Sequence, residues 1–425
     1  MGQTLAEKII ARAAGRDHVS PGEIVTCKVD LAMMHDSGGP RRIKPILDRL
    51  GVKVWDADKV VVVSDHFVPA VDVQSAEILN LTREWVAEQG IKNFYDMQGI
   101  CHVVLPERGH LAPGMFVVGG DSHSPTGGAF GCFMFGVGAT DMAGIVATGE
   151  TWIKVPETIS IDWSGKMARG TCAKDIMLRL CASLGMDGGD YQVIQYSGEV
   201  IASFGMAERM TLCNMAAELG AQTGLIEADE TTIAFIENAT GARPDAQSWR
   251  GDTDASFCKV LKFDAGELSP QVAAPHSPAN AADVDQHAGT KITQAYIGAC
   301  TGAKLNDLQM AAEILEGQKI APDIRLLMAP ASVRELAQAT EDGTLGILLA
   351  AGAILLPSGC GACAGYGAGV LGEGDVCITS TARNFQGRMG SKSACVYLAS
   401  PYTVAASAIA GEICDPRQFL DGAAS

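Results

Sequence analysis

The sequence predicts a multi-domain α/β protein, and both the length of the chain and the spacing of its apolar residues point to that class. A chain of 425 residues is too long for one ordinary core and long enough to bury two or three. Short runs that are apolar at nearly every position alternate with helix-like segments, as expected for strands of a parallel sheet covered by helices. The chain shows no repeat of fixed period, which excludes a solenoid.

Three domains of the α/β/α type are expected along the chain. The pattern changes after Val155, and a stretch rich in Pro, Ala and Ser at 267–289 is predicted to be a linker. The predicted domains cover residues 1–155, 156–275 and 276–425.

Individual elements follow from the local pattern of apolar residues. Continuous apolar runs bounded by turn residues predict strands. These runs are 59–64, 114–119 and 292–297. Apolar residues at helical spacing predict helices, which are expected at 173–184 and at about 207–219.

Charge and composition exclude several classes of partner. The net charge is −17 and the pI is about 4.9, whereas a nucleic-acid surface needs clustered Lys and Arg, so no nucleic-acid partner is expected. No apolar run reaches the roughly 20 residues that cross a bilayer, so no membrane contact is expected. Thirteen cysteines without an N-terminal secretory signal favour a reducing cytoplasm over a disulfide framework.

Acid–base side chains come directly after two predicted strands, and one more lies between them. Ligands of open α/β sheets gather beyond the carboxyl ends of the strands, so these side chains are expected to share one site. The candidates are Asp65, His66, His102, Asp121, Ser122 and His123.

Three cysteines differ from the others because each ends an apolar run and has glycines close by. Cys300 lies in one such segment, and Cys360 and Cys363 form a Cys-x-x-Cys pair in another. The glycines let the backbone approach a bulky inorganic centre. Three thiolates favour an iron–sulfur cluster with one iron free of protein ligands. The alternatives are a structural zinc with Cys377 as fourth ligand and a set of inert buried thiols.

Several segments together resemble the aconitase and 3-isopropylmalate dehydratase large-subunit family. They occur in order over nearly the whole chain, which chance does not explain. The segments are 64–66, 119–124, 211–215, 297–302, 359–365, 370–374 and 381–388.

The resemblance implies three aconitase-type domains around a central 4Fe–4S cluster. The cluster ligands would be Cys300, Cys360 and Cys363. Asp65 and His66 match the family's acid pair, in which the carboxylate raises the pKa of the imidazole and orients it to protonate a departing hydroxide.

The resemblance also implies how the substrate is held. Arg383 and Arg388 match residues that bind substrate carboxylates, which a guanidinium grips through two parallel N–H bonds. The residues expected around the water and the substrate are His102, Asp121, Ser122 and His123.

Three positions depart from the family pattern. Gln195 stands where a glutamate is usual, so that carboxylate is missing or is supplied by Glu199. Gly302 and Ala382 each replace an asparagine, which removes a hydrogen bond near the cluster. These changes favour a malate-type substrate over citrate.

The expected function is that of a hydro-lyase large subunit that interconverts 3-isopropylmalate and 2-isopropylmalate. Maleate, citraconate or 2,3-dimethylmalate chemistry is the alternative within the same class. A cluster-sensing RNA-binding protein is the alternative of another class, and the acidic charge disfavours it. Because the chain ends after the third predicted domain, a separate small subunit with the family's swivelling domain and serine base is expected to complete the site. The chain by itself is expected to be inactive.

Overall fold

The fold is built on three mainly parallel β-sheets surrounded by helices, as a computed structural model describes it for residues 2–420. The first sheet has five strands, each parallel to its neighbours. In order across the sheet they are Asn93–Asp96, Val60–Ser64, Leu31–His35, Phe116–Gly119 and Phe133–Gly136. The strands predicted at 59–64 and 114–119 are thus confirmed, and the first of them is buried at every position, as a strand covered on both faces must be.

The second sheet has four parallel strands. In order across the sheet they are Thr223–Leu225, Val193–Ser197, Thr158–Ser164 and Lys259–Asp264. A separate antiparallel pair is formed by Ile24–Lys28 and Glu150–Lys154.

The third sheet has seven strands and is parallel except at one edge. In order across the sheet they are Ala281–Asp283, Gln271–Ala273, Cys395–Ala399, Val376–Thr379, Gln294–Ile297, Arg325–Met328 and Ile354–Leu355. The strand predicted at 292–297 is therefore confirmed. The strand Gln271–Ala273 is antiparallel to both of its neighbours.

The segment at 267–289, predicted to be a linker, instead forms this antiparallel edge of the third sheet. The backbone N–H of Gln271 also donates to Asp175 Oδ1 at 2.8 Å, which ties the edge to a neighbouring helix. The prolines of the segment precede the first strand or lie between the two strands, where no ladder hydrogen bond is needed. The predicted limit between residues 275 and 276 falls inside this connection, and the domain limits remain a prediction.

Helices cover the faces of the sheets. The helix predicted at 173–184 is observed as Ala173–Leu184, whereas the one predicted at about 207–219 is a helix only over Met206–Met215 and continues as a 3-10 turn over Ala216–Leu219. The other α-helices are Leu5–Ala13, Pro40–Leu50, Val73–Gln89, Cys101–Glu107, Ala139–Thr148, Glu199–Ser203, Glu230–Thr240, Leu305–Leu315, Val333–Glu341, Thr344–Ala351, Pro401–Ala410 and Arg417–Leu420. None of these helices has the combination of length and apolar character that crossing a membrane requires.

One apolar cluster runs through all three sheets. It contains Val61 of the first sheet, Ile161 of the second and Ile297 of the third, each fully buried. Because close-packed interiors resist deformation, the strand ends of the three sheets are held at fixed positions relative to one another.

A direct backbone connection joins the first and third sheets. The N–H of Ile100 donates to the carbonyl of Ala331 at 2.8 Å, and the N–H of Val333 donates to the carbonyl of Gln98 at 3.0 Å. These bonds lie just before the helices Cys101–Glu107 and Val333–Glu341, and so they fix where both helices begin.

Glu107 is a carboxylate at the same junction. Its Oε1 accepts a hydrogen bond from Ser332 Oγ at 2.6 Å. Burial raises the pKa of Glu107 to about 7, although the hydrogen bond from Ser332 acts to lower this pKa. The protonated carboxyl is therefore favoured in the folded chain at a pH where it would ionise in the unfolded chain.

We predict that replacing Glu107 with Gln reduces the pH dependence of stability. A carboxyl whose pKa is raised by folding stabilises the fold below its unfolded pKa of about 4.3, and that contribution is lost as the pH rises through about 7. The denaturation midpoint should therefore fall more in the unchanged chain than in E107Q between about pH 5 and about pH 8. The glutamine in E107Q can still accept the hydrogen bond from Ser332. The control is the same substitution at an exposed residue, Glu84→Gln. Equal pH slopes for E107Q and the unchanged chain would contradict the prediction.

Candidate active site

The candidate site lies where the carboxyl ends of the first and third sheets face each other. The N–H of Cys360, in a loop of the third sheet, donates to the carbonyl of Asp65, in a loop of the first, at 2.9 Å. Arg383 Nη1, from another loop of the third sheet, donates to Ser122 Oγ at 2.8 Å. The sequence-predicted residues from both halves of the chain therefore meet at the sheet edge where ligands of α/β proteins gather.

Asp65 and His66 form a buried pair. His66 Nδ1 lies 2.6 Å from Asp65 Oδ1, and Asp65 Oδ2 accepts a hydrogen bond from the N–H of Cys101 at 2.8 Å. Burial alone would lower the pKa of His66, but the charges of Asp65 and Asp121 raise it to about 9. Burial likewise opposes ionisation of Asp65, yet His66 lowers the pKa of that carboxyl. Both directions favour a carboxylate on Asp65 and an imidazolium on His66.

Asp36 holds the loop that carries this pair. It is fully buried, its Oδ1 accepts from the N–H of His66 at 3.1 Å, and its Oδ2 accepts from the N–H of Phe67 at 2.8 Å. Burial and the neighbouring charge of Asp65 raise the pKa of Asp36. Asp36 thus fixes the backbone on which the His66 ring is mounted.

His35 stacks on the His66 ring with 4.1 Å between the ring centroids. Burial and the charge of His66 together lower the pKa of His35 to about 4. Its Nδ1 accepts from the N–H of Gly38 at 3.2 Å, so the neutral ring carries its proton on Nε2, which donates to the carbonyl of Gly120 at 3.0 Å. A neutral ring beside a charged one limits the number of buried positive charges.

Asp121 gathers the other predicted histidines. Its Oδ1 lies 2.9 Å from His102 Nε2 and accepts from the backbone N–H of His123 at 2.7 Å. Its Oδ2 lies 3.8 Å from His66 Nε2. Burial opposes ionisation of Asp121, but His102 and His123 hold its pKa well below the usual range.

Glu218 connects the histidines to a predicted substrate-binding arginine. Its Oε1 lies 3.1 Å from His123 Nε2 and accepts from Arg383 Nε at 2.7 Å. Burial would raise the pKa of Glu218, but His123 and Arg383 lower it. Because Arg383 also donates to Ser122, two of its N–H groups are committed to holding its orientation.

The three predicted cluster cysteines lie in one neighbourhood. Cys300 and Cys363 are buried, Cys360 is partly buried, and all three are free of disulfides. Burial and the charge of Cys363 together raise the pKa of Cys300 to about 12. Burial also raises the pKa of Cys360, with further contributions from Asp65, Cys363, Asp121 and Cys300. Cys300 and Cys360 thus both lie near enough to Cys363 for its charge to act on them, and the three cysteines form a donor set beside the acid–base residues.

The groups around these thiols suit an iron–sulfur centre. Asn214 Nδ2 donates to Cys300 Sγ at 3.1 Å, while Asn214 Oδ1 is buried without a partner in the described part of the chain. Arg388 Nε donates to the carbonyl of Cys363 at 3.0 Å, and no hydrogen bond is recorded for its Nη atoms within residues 2–420. Thiolates from two loops, a hydrogen bond to a ligand sulfur and partnerless polar atoms together fit a 4Fe–4S cluster.

Cys377, considered as a fourth ligand of a zinc, is placed differently. It is fully buried in the strand Val376–Thr379 and packs in an apolar cluster with Tyr296, Leu327 and Met389. This packing is that of a core residue, and it favours the three-thiol set over a zinc site.

The buried glutamate of the site is Glu218, so the expectation that this carboxylate is missing or comes from Glu199 is wrong. Glu199 Oε1 accepts from the N–H of Gly165 at 2.7 Å, and Gln195 Nε2 lies 3.4 Å from Glu227 Oε1. Neither has a recorded contact with the histidines in residues 2–420. The carboxylate was missed because Glu218 lies in a short 3-10 turn with no motif of its own.

The glycine at position 302 is required by the close approach of two loops. A Cβ at Gly302 would lie 2.2 Å from Ser380 Oγ and 2.6 Å from the carbonyl oxygen of Ser380. The asparagine usual in the family therefore has no room here. Ala382 is buried, and unlike the asparagine usual in the family at this position it has no polar side-chain atom.

Four functional neighbours were not predicted from the sequence. His35 and Asp36 stand at the end of the strand Leu31–His35, so the rule that found Asp65 would have found them too. Asn214 lies inside a segment that carries the family resemblance, and Glu218 follows it in the chain. Their roles depend on contacts that join distant parts of the chain.

Comparison with known proteins gives full-length matches. The family model described as "Aconitase family (aconitate hydratase)" matches residues 7–291 and 283–411. The chain is 46% identical over 422 residues to 3-isopropylmalate dehydratase large subunit 1 of Methanopyrus kandleri, covering 99% of this chain and 100% of that protein. It is 44% identical over 418 residues to the methanogen homoaconitase large subunit of Methanocaldococcus jannaschii, covering 96% of this chain and 99% of that protein.

A solved structure, that of Thermococcus kodakaraensis aconitase X in its holo-form, matches with a TM-score of 0.49 at 15% identity, over 89% of this chain and 88% of that chain. The family assignment does not depend on this match. It depends on the family model, which spans most of the residues, and on relatives that are aligned from end to end. This chain belongs to the aconitase family.

Proposed function

We propose that the chain is the large subunit of a hydro-lyase that reversibly dehydrates a malate-type hydroxy diacid. The observation that carries the proposal is the convergence of Asp65, His66 and Asp121 with a set of three thiols at one sheet edge. Interconversion of 3-isopropylmalate and 2-isopropylmalate is the first choice, because most of the similar full-length relatives have that name.

Homoaconitate chemistry is the second candidate. Three relatives at 43 to 46% identity are named methanogen homoaconitase large subunits, and these identities overlap those of the dehydratases. Hydration of maleate or citraconate and dehydration of 2,3-dimethylmalate remain alternatives within the same chemistry. In each of these reactions the hydrated partner carries a hydroxyl and at least two carboxylates, which are the groups that the site residues would handle.

Cys300, Cys360 and Cys363 would hold a 4Fe–4S cluster. When bound, such a cluster with one iron free of protein ligands supplies a Lewis acid for the substrate's hydroxyl and carboxylate. The chain's contribution is to place its own acid–base and carboxylate-binding groups around that position.

His66 is the proposed general acid. Its Nδ1 proton is held by Asp65 at 2.6 Å, so the second ring N–H, on Nε2, faces Asp121 and the interior of the site. A raised pKa keeps this imidazolium charged at neutral pH and able to protonate a leaving hydroxide. Asp121 and His102 orient the groups around it.

Arg383 and Arg388 are the proposed substrate-carboxylate binders. Arg383 is oriented by Glu218 and Ser122, and Arg388 is anchored through Nε to the carbonyl of Cys363. Each anchored guanidinium retains N–H groups for a carboxylate, which it can bind in a bidentate way.

The proposed partner is a small subunit that completes the site and supplies the serine base. Support comes from the names of the relatives, each of which is called a large subunit. The chain alone should bind the cluster and remain inactive until the partner is added.

We predict that Cys300→Ser prevents the chain from retaining a complete cluster. After anaerobic reconstitution with ferrous iron and sulfide, the unchanged chain should show iron–sulfur absorption and about four iron atoms per chain. The C300S variant should retain fewer because a serine hydroxyl is a poorer ligand for this soft centre than a thiolate. Cys377→Ser is the matched control and should keep the full content. Equal loss in both variants would contradict the assignment of ligands.

We predict that Arg388→Lys weakens use of the substrate. A lysine keeps the charge but loses the planar pair of N–H groups, so kcat/KM should fall by about 10- to 100-fold in the complete enzyme. The control is Arg243→Lys, the same substitution at an exposed arginine that forms a surface ion pair with Glu230. An unchanged kcat/KM in R388K would remove Arg388 from the substrate site.

The function itself is tested by a substrate panel. The chain combined with a small subunit should hydrate 2-isopropylmaleate faster than homoaconitate, citraconate, dimethylmaleate or maleate. The rate should be lower by about 100-fold or more in a His66→Gln variant. Such a decrease would show that the activity does not come from a contaminating enzyme. A preference for homoaconitate would select the second candidate, and no hydration of any diacid by a cluster-loaded complex would refute the hydro-lyase proposal.

A further inference from the structure

Lys174 is a fully buried lysine that the proposed chemistry does not use. It lies in the first turn of the helix Ala173–Leu184, and its side chain is 1% exposed. Its Nζ donates to Thr301 Oγ1 at 3.3 Å, to the carbonyl of Ser380 at 3.1 Å and to the carbonyl of Thr381. One ammonium group thus joins the residue after Cys300 to the loop that leads into Arg383.

The charge of this ammonium is not balanced by a carboxylate in contact with it. No ion pair of Lys174 is recorded within residues 2–420, and its hydrogen-bond acceptors are neutral. A second buried lysine on the same loop provides the contrast, because Lys304 Nζ lies 2.8 Å from Asp307 Oδ2 while also donating to the carbonyl of Cys300 at 2.9 Å. A buried charge without a counter-charge is costly, so an anion is expected near Lys174.

The cysteines of the proposed cluster site are candidates for that anion, because Cys300 and Cys363 are among the groups whose charge acts on Lys174. Burial lowers the pKa of Lys174 to about 8, and the charges of Cys300, Cys172, Cys363 and Glu218 oppose that change. The ammonium therefore remains the main form at neutral pH. A 4Fe–4S cluster held by these three thiolates would carry a net negative charge.

We propose that Lys174 is a positioning residue that supplies the counter-charge of the cluster and holds the Cys300 and Arg383 loops at a fixed separation. This inference rests on the proposed function, because it requires the cluster. The reduction potential of an iron–sulfur cluster depends on net charge, hydrogen bonding and solvent exposure. A buried cation beside the thiolates favours the reduced, more negative form of the cluster.

The test uses two variants of the full-length chain, reconstituted anaerobically with ferrous iron and sulfide. Lys174→Met has a similar length and no charge, whereas Lys174→Arg keeps the charge. A redox titration followed by electron paramagnetic resonance should give K174M a lower midpoint potential than the unchanged chain. K174R should have a potential closer to that of the unchanged chain. Loss of the cluster in K174M with retention in K174R would support the same role.

A matched control separates charge from loop geometry. The double variant Lys304→Met with Asp307→Asn also removes a hydrogen bond to the Cys300 loop. It does not change the net charge, because it removes both partners of an ion pair. It should leave the midpoint potential close to that of the unchanged chain.

Three results would overturn the inference. They are an unchanged potential in K174M, an equal shift in the double variant, and loss of the cluster from both Lys174 variants. An unchanged chain that takes up no cluster would instead refute the proposed function before any variant is compared.

Discussion

Asp65 is the residue on which the geometry of the site depends most. Its carboxylate binds His66 Nδ1 and the N–H of Cys101, and its backbone carbonyl accepts from the N–H of Cys360. A single residue therefore connects the acid–base pair, the helix that carries His102 and the loop of the paired cysteines. Because Asp65 is fully buried, its charge is tolerated only with the imidazolium beside it, so the protonation state and the shape of the site are set together.

The arrangement also explains how a chain with net charge −17 can be expected to hold an anionic substrate. The cations of the site are few, and buried groups fix their directions, as Glu218 does for Arg383 and the carbonyl of Cys363 does for Arg388. Because these side chains are already ordered in the folded protein, they lose little conformational freedom when they bind a carboxylate. This lowers the entropic cost of binding. Local placement thus outweighs the unfavourable overall charge.

Much of the fold and part of the site could be predicted because the signals are local. The all-apolar run Val60–Ser64 predicts a strand covered on both faces, and the polar pair that follows it marks the functional edge. Glu218 and Lys174 could not be found in this way, since their importance depends on partners more than one hundred residues away in the sequence. The linker prediction at 267–289 was wrong because proline marks the ends of short edge strands as well as loose chain.

The close contact at Gly302 limits how this site can change. A Cβ there would meet the Ser380 side chain and also the Ser380 backbone oxygen, so trimming Ser380 alone would not make room for the asparagine common in the family. The two loops would have to move apart together, and Lys174 is bonded to both. The spacing between these loops therefore cannot be changed through one residue, and introducing the asparagine at position 302 requires both loops to be exchanged together.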